Sequence, residues 1–136
     1  MPYPVAPDPI DALITFLKAD PVISAISGTR VSTTKLDTPL PRIQLFMVSG
    51  LITEPFEEST EFQVDCWGGT GATGEREAKT LARTVCTRID GMRGPLAGGA
   101  VTSAITSVRP FDLPDPTTGR PRCVCQVAVT ISPNSP

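Results

Sequence analysis

The segment Arg109–Ile131, RPFDLPDPTTGRPRCVCQVAVTI, constrains the fold more than any other part of the chain. It ends in strict alternation. In an extended backbone successive side chains point to opposite sides, so Cys123, Cys125, Val127, Val129 and Ile131 share one face of a strand. The residues before it make an elbow. Pro110, Pro114, Pro116 and Pro121 each fix φ, and Thr118-Gly119 supplies a turn. The segment holds no nucleophile–base pair and no metal cage. A rigid connection that presents a loop points to assembly before catalysis.

Upstream, the same reading yields two helices, three further strands and one short candidate strand. Asp8 caps a helix with Pro9 at its first position, and Ile10, Leu13, Ile14 and Leu17 form its apolar stripe to about Ala19. Asp20-Pro21 stops it, and Val22, Ile23 and Ile26 suggest one more short turn before Gly28. Thr29–Thr33 reads as a short strand and Arg42–Val48 as a buried one. Ser49–Ser59 reads as a loop carrying Glu54, Glu57 and Glu58. In Thr60–Trp67, Phe62, Val64 and Cys66 face one way, while Glu61, Gln63, Asp65 and Trp67 face the other.

Gly68–Gly74 is a flexible connector into a helix over Glu75–Ile89, with a core stripe of Ala78, Leu81, Ala82, Val85 and Ile89. Glu75 and Lys79 stand at i, i+4 on it. Gly91–Gly99 reads as a loose loop and Ala100–Val108 as a weak strand. The order predicts an α+β domain: a mostly antiparallel β-sheet of about four strands flanked by two helices. The domain is expected over 8–132, after a flexible Pro-rich arm at 1–7 and before a frayed tail at 133–136.

Composition narrows the function. The chain has 136 residues, enough for one core, with 40% hydrophobic and 19% charged residues. A net charge of −2 gives no general attraction to nucleic acid or to an anionic membrane. No apolar run approaches the roughly 20 residues of a membrane span, and the N-terminus lacks the features of a signal peptide. The expected compartment is a reducing cytoplasm, with Cys66, Cys86, Cys123 and Cys125 as free thiols.

Three chemical readings are open and none is favoured. Gly69–Gly74 has the G-x-G-x-x-G pattern of dinucleotide loops. It lacks a βαβ context, and Glu75 and Glu77 at the following helix start would repel phosphate. The four cysteines do not have the knuckle spacing of structural zinc, and they fall on core positions. There is no histidine for acid–base work near neutral pH. Asp112 and Asp115, three apart beside Arg109, Arg120 and Arg122, read as a salt-bridged loop that holds its shape. No cofactor or metal is expected, and the chain is read as a non-enzyme. Trp67 reads as a partly exposed aromatic covering the sheet edge, with an interface anchor as the alternative. The Glu54–Glu58 cluster reads as a solvated loop or, in a ring-forming protein, as the lining of a lumen that keeps DNA from sticking.

Four segments in order, PRIQLFMVSG (Pro41–Gly50), FQVDCWGGT (Phe62–Thr70), EREAKTLARTV (Glu75–Val85) and PFDLPDPTTGRPRCVCQVAVTI (Pro110–Ile131), resemble the tail-terminator proteins of long-tailed phages, particularly those of actinobacterial hosts. The resemblance covers roughly Ala12–Ile131. It implies a ring-forming subunit, a hexamer on the head-proximal end of the tail tube. Such a ring stops tube polymerisation, offers a docking surface to the head-closure or connector protein, and lets genomic DNA pass through its bore. It implies a place in the virion, after assembly in the host cytoplasm, with no membrane partner. Helices would lie outside the ring. Subunit contacts are then expected from the Arg109–Arg122 elbow, with Arg109, Asp112, Asp115, Arg120 and Arg122, and from the Ser49–Ser59 loop with Glu54, Glu57 and Glu58, with Trp67 as the possible anchor. A head-closure protein, which also builds rings of small mixed subunits, is the nearest alternative. A small nucleotide-binding domain is the alternative from another class.

Overall fold

The computed structural model describes residues 8–28, 30–33, 41–54, 57–69, 71–96 and 99–133, with the backbone alone for 51–54, 71, 96 and 133. The predicted arm at 1–7 and nearly all of the predicted tail lie outside them. Helix α1 (Pro9–Ala19) starts as its sequence requires, Ile10 N–H donating to Asp8 Oδ1 at 2.9 Å. The turn expected before Gly28 is a second helix, α2 (Pro21–Ser27). Asp20 is both the C-cap of α1 and the N-cap of α2, and its carboxylate accepts from the amides of Val22 and Ile23. One helix therefore ends where the next begins, without a linker.

The sheet has six strands in the order β1-β2-β3-β6-β5-β4. They are β1 (Val31–Ser32), β2 (Arg42–Glu54), β3 (Glu57–Trp67), β4 (Gly94–Leu96), β5 (Gly99–Asp112) and β6 (Arg122–Pro133). The four long strands β2, β3, β6 and β5 are antiparallel throughout, as expected. The count of about four leaves out two short strands, of which β1 lies within the short strand expected at Thr29–Thr33 and β4 has no counterpart in the expectation. β1 pairs parallel with β2, which makes the sheet mixed, and β4 forms a small hairpin with β5 inside the predicted loose loop.

Two boundaries move further. Ser49–Glu54 and Glu57–Ser59 are not a loop. They extend β2 and β3 as a paired hairpin to Glu54↔Glu57. Pairing with β6, as at Glu58↔Ile131, holds the polar start of β3 extended, and the end of β2 is held in turn by pairing with β3. Likewise β5 runs on to Asp112, so the elbow proper is Leu113–Pro121. Pro110 is tolerated within β5 because a register shift between Val108 and Phe111 relieves the ladder at that point.

Helix α3 (Gly71–Asp90) lies across β3, β6 and β5, α2 packs on α3, and α1 packs on α2 and β1. The core forms on this side of the sheet. The predicted stripe Ala78, Leu81, Ala82, Val85 and Ile89 is buried against Phe62, Val64, Cys125, Val127 and Val129, with Leu13, Leu17 and Ile23 closing the end. Removing a Leu-sized side chain from water stabilises by about 1.5–3 kcal/mol, so this layer dominates stability. All four cysteines are free thiols buried in the domain, as their strand and helix positions predict.

Candidate assembly surface

The helix-free face of the sheet is built row by row from the register. Phe46, Gln63, Gln126 and Val108 form one row across β2, β3, β6 and β5. The next row towards the elbow is Gln44, Asp65, Val124 and Phe111, and the last is Arg42, Trp67 and Arg122. Alternation assigned Trp67 and Asp65 to this face correctly. It did not show that the elbow end of the face is covered. Arg42, Gln44, Asp65, Trp67 and Val124 are all buried, Trp67 with only 2% of its surface exposed.

Trp67 is thus not a partly exposed edge cover. Its ring lies between two guanidinium groups, Arg42 at 5.5 Å and Arg122 at 4.9 Å from the centroid. Such stacking is favourable because a cation is attracted to the negative face of the indole. Arg122 does more than stack. Its Nε donates to the Leu113 carbonyl at 2.8 Å, and its Nη1 pairs with Asp65 Oδ2 at 3.2 Å. Burial pushes the Asp65 carboxyl above its ordinary value, with the Gln63 amide and Arg122 pulling the other way.

The elbow is held from inside. Asp115 is buried, its carboxylate accepting from Thr117 N–H at 2.9 Å and from Thr118 Oγ1 at 3.0 Å. Its amide donates to the Arg120 carbonyl and its carbonyl accepts from Gly119, which has φ of 70°. Only a residue without Cβ takes that backbone readily. Asp112, at the end of β5, pairs with Lys79 of α3 at 3.4 Å, both exposed. Arg109 is exposed further up β5. It lines a cavity of about 120 Å³ with Arg83, Cys86, Thr87, Asp90 and Thr106.

The structure therefore gathers Asp112, Asp115, Arg120, Arg122 and Trp67 at one end of the sheet. Glu57 and Glu58 sit half-buried at the opposite end of β3. Glu54, placed by its backbone, is paired with Glu57 there. Eight of the nine predicted contact residues fall into these two separate groups, and Arg109 stands apart on β5. Arg42 and Asp65, which anchor the first group, carried no contact signal in the sequence beyond their alternation.

The glycine pattern has a steric cause. A Cβ on Gly68 would lie 1.8 Å from the Gly74 carbonyl oxygen, and one on Gly74 would lie 1.9 Å from that of Gly69. The exit of β3 and the first turn of α3 touch backbone to backbone. Gly69 N–H, an amide that a phosphate would need, already donates to Glu77 Oε1 at 3.2 Å.

The sequence matches the family described as tail completion protein gp17 over residues 11–132. The chain belongs to that family. It is a structural component of the phage virion, at the tail. A chain in the structure titled "Virion of native gene transfer agent (GTA) particle" shares the fold, with a TM-score of 0.68 and 18% identity, covering 90% of this chain and 93% of that one. The chain matches no curated protein sequence. Among the described residues no helix is long and apolar enough to cross a membrane.

Proposed function

We propose that this tail completion protein is a tail terminator. It assembles as a ring, a hexamer, on the head-proximal end of the tail tube, stops tube polymerisation and presents the docking surface for the head-closure or connector protein. The observation that carries this reading is the family match, which spans all three helices and nearly the whole sheet. Genomic DNA passes through the bore without sequence-specific contacts, in keeping with a chain of net charge −2. The role is structural and needs neither catalysis nor cofactor.

The elbow is one contact segment in this reading. Its internal hydrogen bonds present Arg120, Thr117 and Thr118 in a fixed shape, so docking loses little conformational entropy. Arg122 and Trp67 act beneath it as supports. The Glu54–Glu58 hairpin is a second contact segment, at the other end of the sheet.

Deleting the gene and examining the lysate by electron microscopy tests the assignment. Tails of excessive or variable length without heads are expected. Filled heads beside free tails of uniform, correct length would place the protein on the head side of the joint, as a closure protein.

A further inference from the structure

Among the described residues, the two outer strands of the long sheet are open along most of their length, and the openings match. β1 pairs with β2 only at Ile43 and Gln44, and β4 pairs with β5 only from Gly99 to Val101. Beyond those corners, among the described residues, no strand pairs with the outer edge of β2 from Leu45 to Glu54 or of β5 from Thr102 to Asp112. Soluble proteins usually protect such edges with charge, because an open strand recruits another. Here neither free stretch carries a charged residue before Glu54 on β2 or Arg109 on β5.

The edges are apolar as well as open. Six of the eight large hydrophobic side chains exposed among the described residues lie on these two strands: Phe46, Met47 and Val48 on β2, and Ile105, Val108 and Phe111 on β5. The middles of the two free stretches stand at the same height on the two sides of the sheet. Phe46 shares a row with Val108, and Ser49 shares one with Ile105.

Direction decides what fits. Each long strand is antiparallel to the next, so β2 and β5 run opposite ways. The β2 edge of one copy set beside the β5 edge of another continues the antiparallel pattern without interruption. A two-fold contact of β2 with β2 would leave β5 open, whereas a head-to-tail contact uses both edges in every copy and closes into a ring. Curvature is also present. Every register shift in the long sheet falls in the β2–β3 or β5–β6 pairing and none in the central β3–β6 pairing. Bulges of this kind bend and coil a sheet.

We propose that copies of this chain join head to tail through their sheets, the free edge of β2 in one subunit pairing antiparallel with the free edge of β5 in the next. The proposal rests on the ring reading above and specifies its joint. In the free subunit the Thr106 amide donates to Asp90 at 2.7 Å, and the arriving strand takes over that group.

Two charge substitutions test the joint. Val48 and Ile105 are 51% and 53% exposed, so Val48→Lys and Ile105→Lys leave the core intact, which an unchanged thermal midpoint of the monomer verifies. Each variant spoils one edge and keeps the other. Measured by light scattering where the wild-type chain is oligomeric, each alone is expected to be monomeric. An equimolar mixture is expected to form a one-to-one dimer and go no further. Ile105→Lys still dimerising while Val48→Lys does not would mean two-fold β2 pairing and would overturn the proposal. Rings surviving both substitutions would overturn it too, leaving the ring reading intact on another surface. A wild-type chain monomeric both in solution and on tube ends would remove ring and joint together. Should either variant fail to fold, amide exchange on the wild-type oligomer decides. Protection gained at 45–50 and 103–108 relative to the monomer supports the joint, and its absence refutes it.

Discussion

Two buried aspartates carry opposite signs of pH dependence. Asp20 joins three helices: it caps α1 and α2 and accepts from Arg88 Nε of α3 at 2.6 Å. Burial alone would raise its carboxyl, but the bonds from Arg88, Ile23 and Val22 outweigh that and hold it below the ordinary 3.8. A carboxyl lowered by folding contributes stability that is complete above 3.8 and lost as pH falls through the folded value. Asp65 is raised instead, by burial, so the folded state binds more protons than the unfolded chain just above 3.8, and stability falls there as pH rises. Asp20→Ala is expected to lose about 2 kcal/mol at neutral pH, from the cap and the charged hydrogen bond together. Denaturant titrations at stepped pH should show that gap narrowing below 3.8, while Asp65→Asn gains on the wild type as pH rises above it. Identical pH profiles for the two variants would contradict these assignments.

At the scale of elements, the contact of β3 with α3 shows where the sequence is silent. The helix is legible from its stripe over Ala78–Ile89, yet it starts before the predicted Glu75, because Gly71–Gly74 looks like a flexible linker and not like a first turn. Glycine weakens a helix by roughly 0.5–1 kcal/mol relative to alanine, so propensity argued against that turn. The backbone approach at Gly68 and Gly74 overrides it, and such an approach has no sequence signature apart from the glycines themselves. Gly74→Ala must push backbone apart and should cost more than about 2 kcal/mol in a urea unfolding curve. Gly91→Ala is the control. Its nearest neighbour would be the Arg88 carbonyl at 3.8 Å, and the substitution should be neutral or stabilise by up to about 1 kcal/mol through the unfolded chain. Equal losses at the two positions would mean the close approach does not limit packing. The β2–β3 hairpin was missed for a related reason. Pairing of its β3 arm with β6 holds it, and alternation is a property of one strand at a time.

For the whole molecule, the antiparallel α+β core was legible because burial follows periodicity: Cys123, Cys125, Val127, Val129 and Ile131 are all buried as predicted. The cover over the other face was not, since alternation says which side a residue points to and not whether anything lies there. At the elbow end that face is closed by Trp67 between its arginines. Further along it carries Phe46, Ile105, Val108 and Phe111 in the open. A subunit built this way gains from association what it leaves unburied alone. If it assembles into hexamers, each tenfold rise in concentration should stabilise a subunit by about 1 kcal/mol through mass action, raising the thermal midpoint by roughly 2–6 °C. Calorimetry over a hundredfold concentration range measures this directly. A rising midpoint means that folding and assembly are linked. A flat one means the free subunit is a monomer whose exposed apolar rows wait for the tube, and the ring then forms only there.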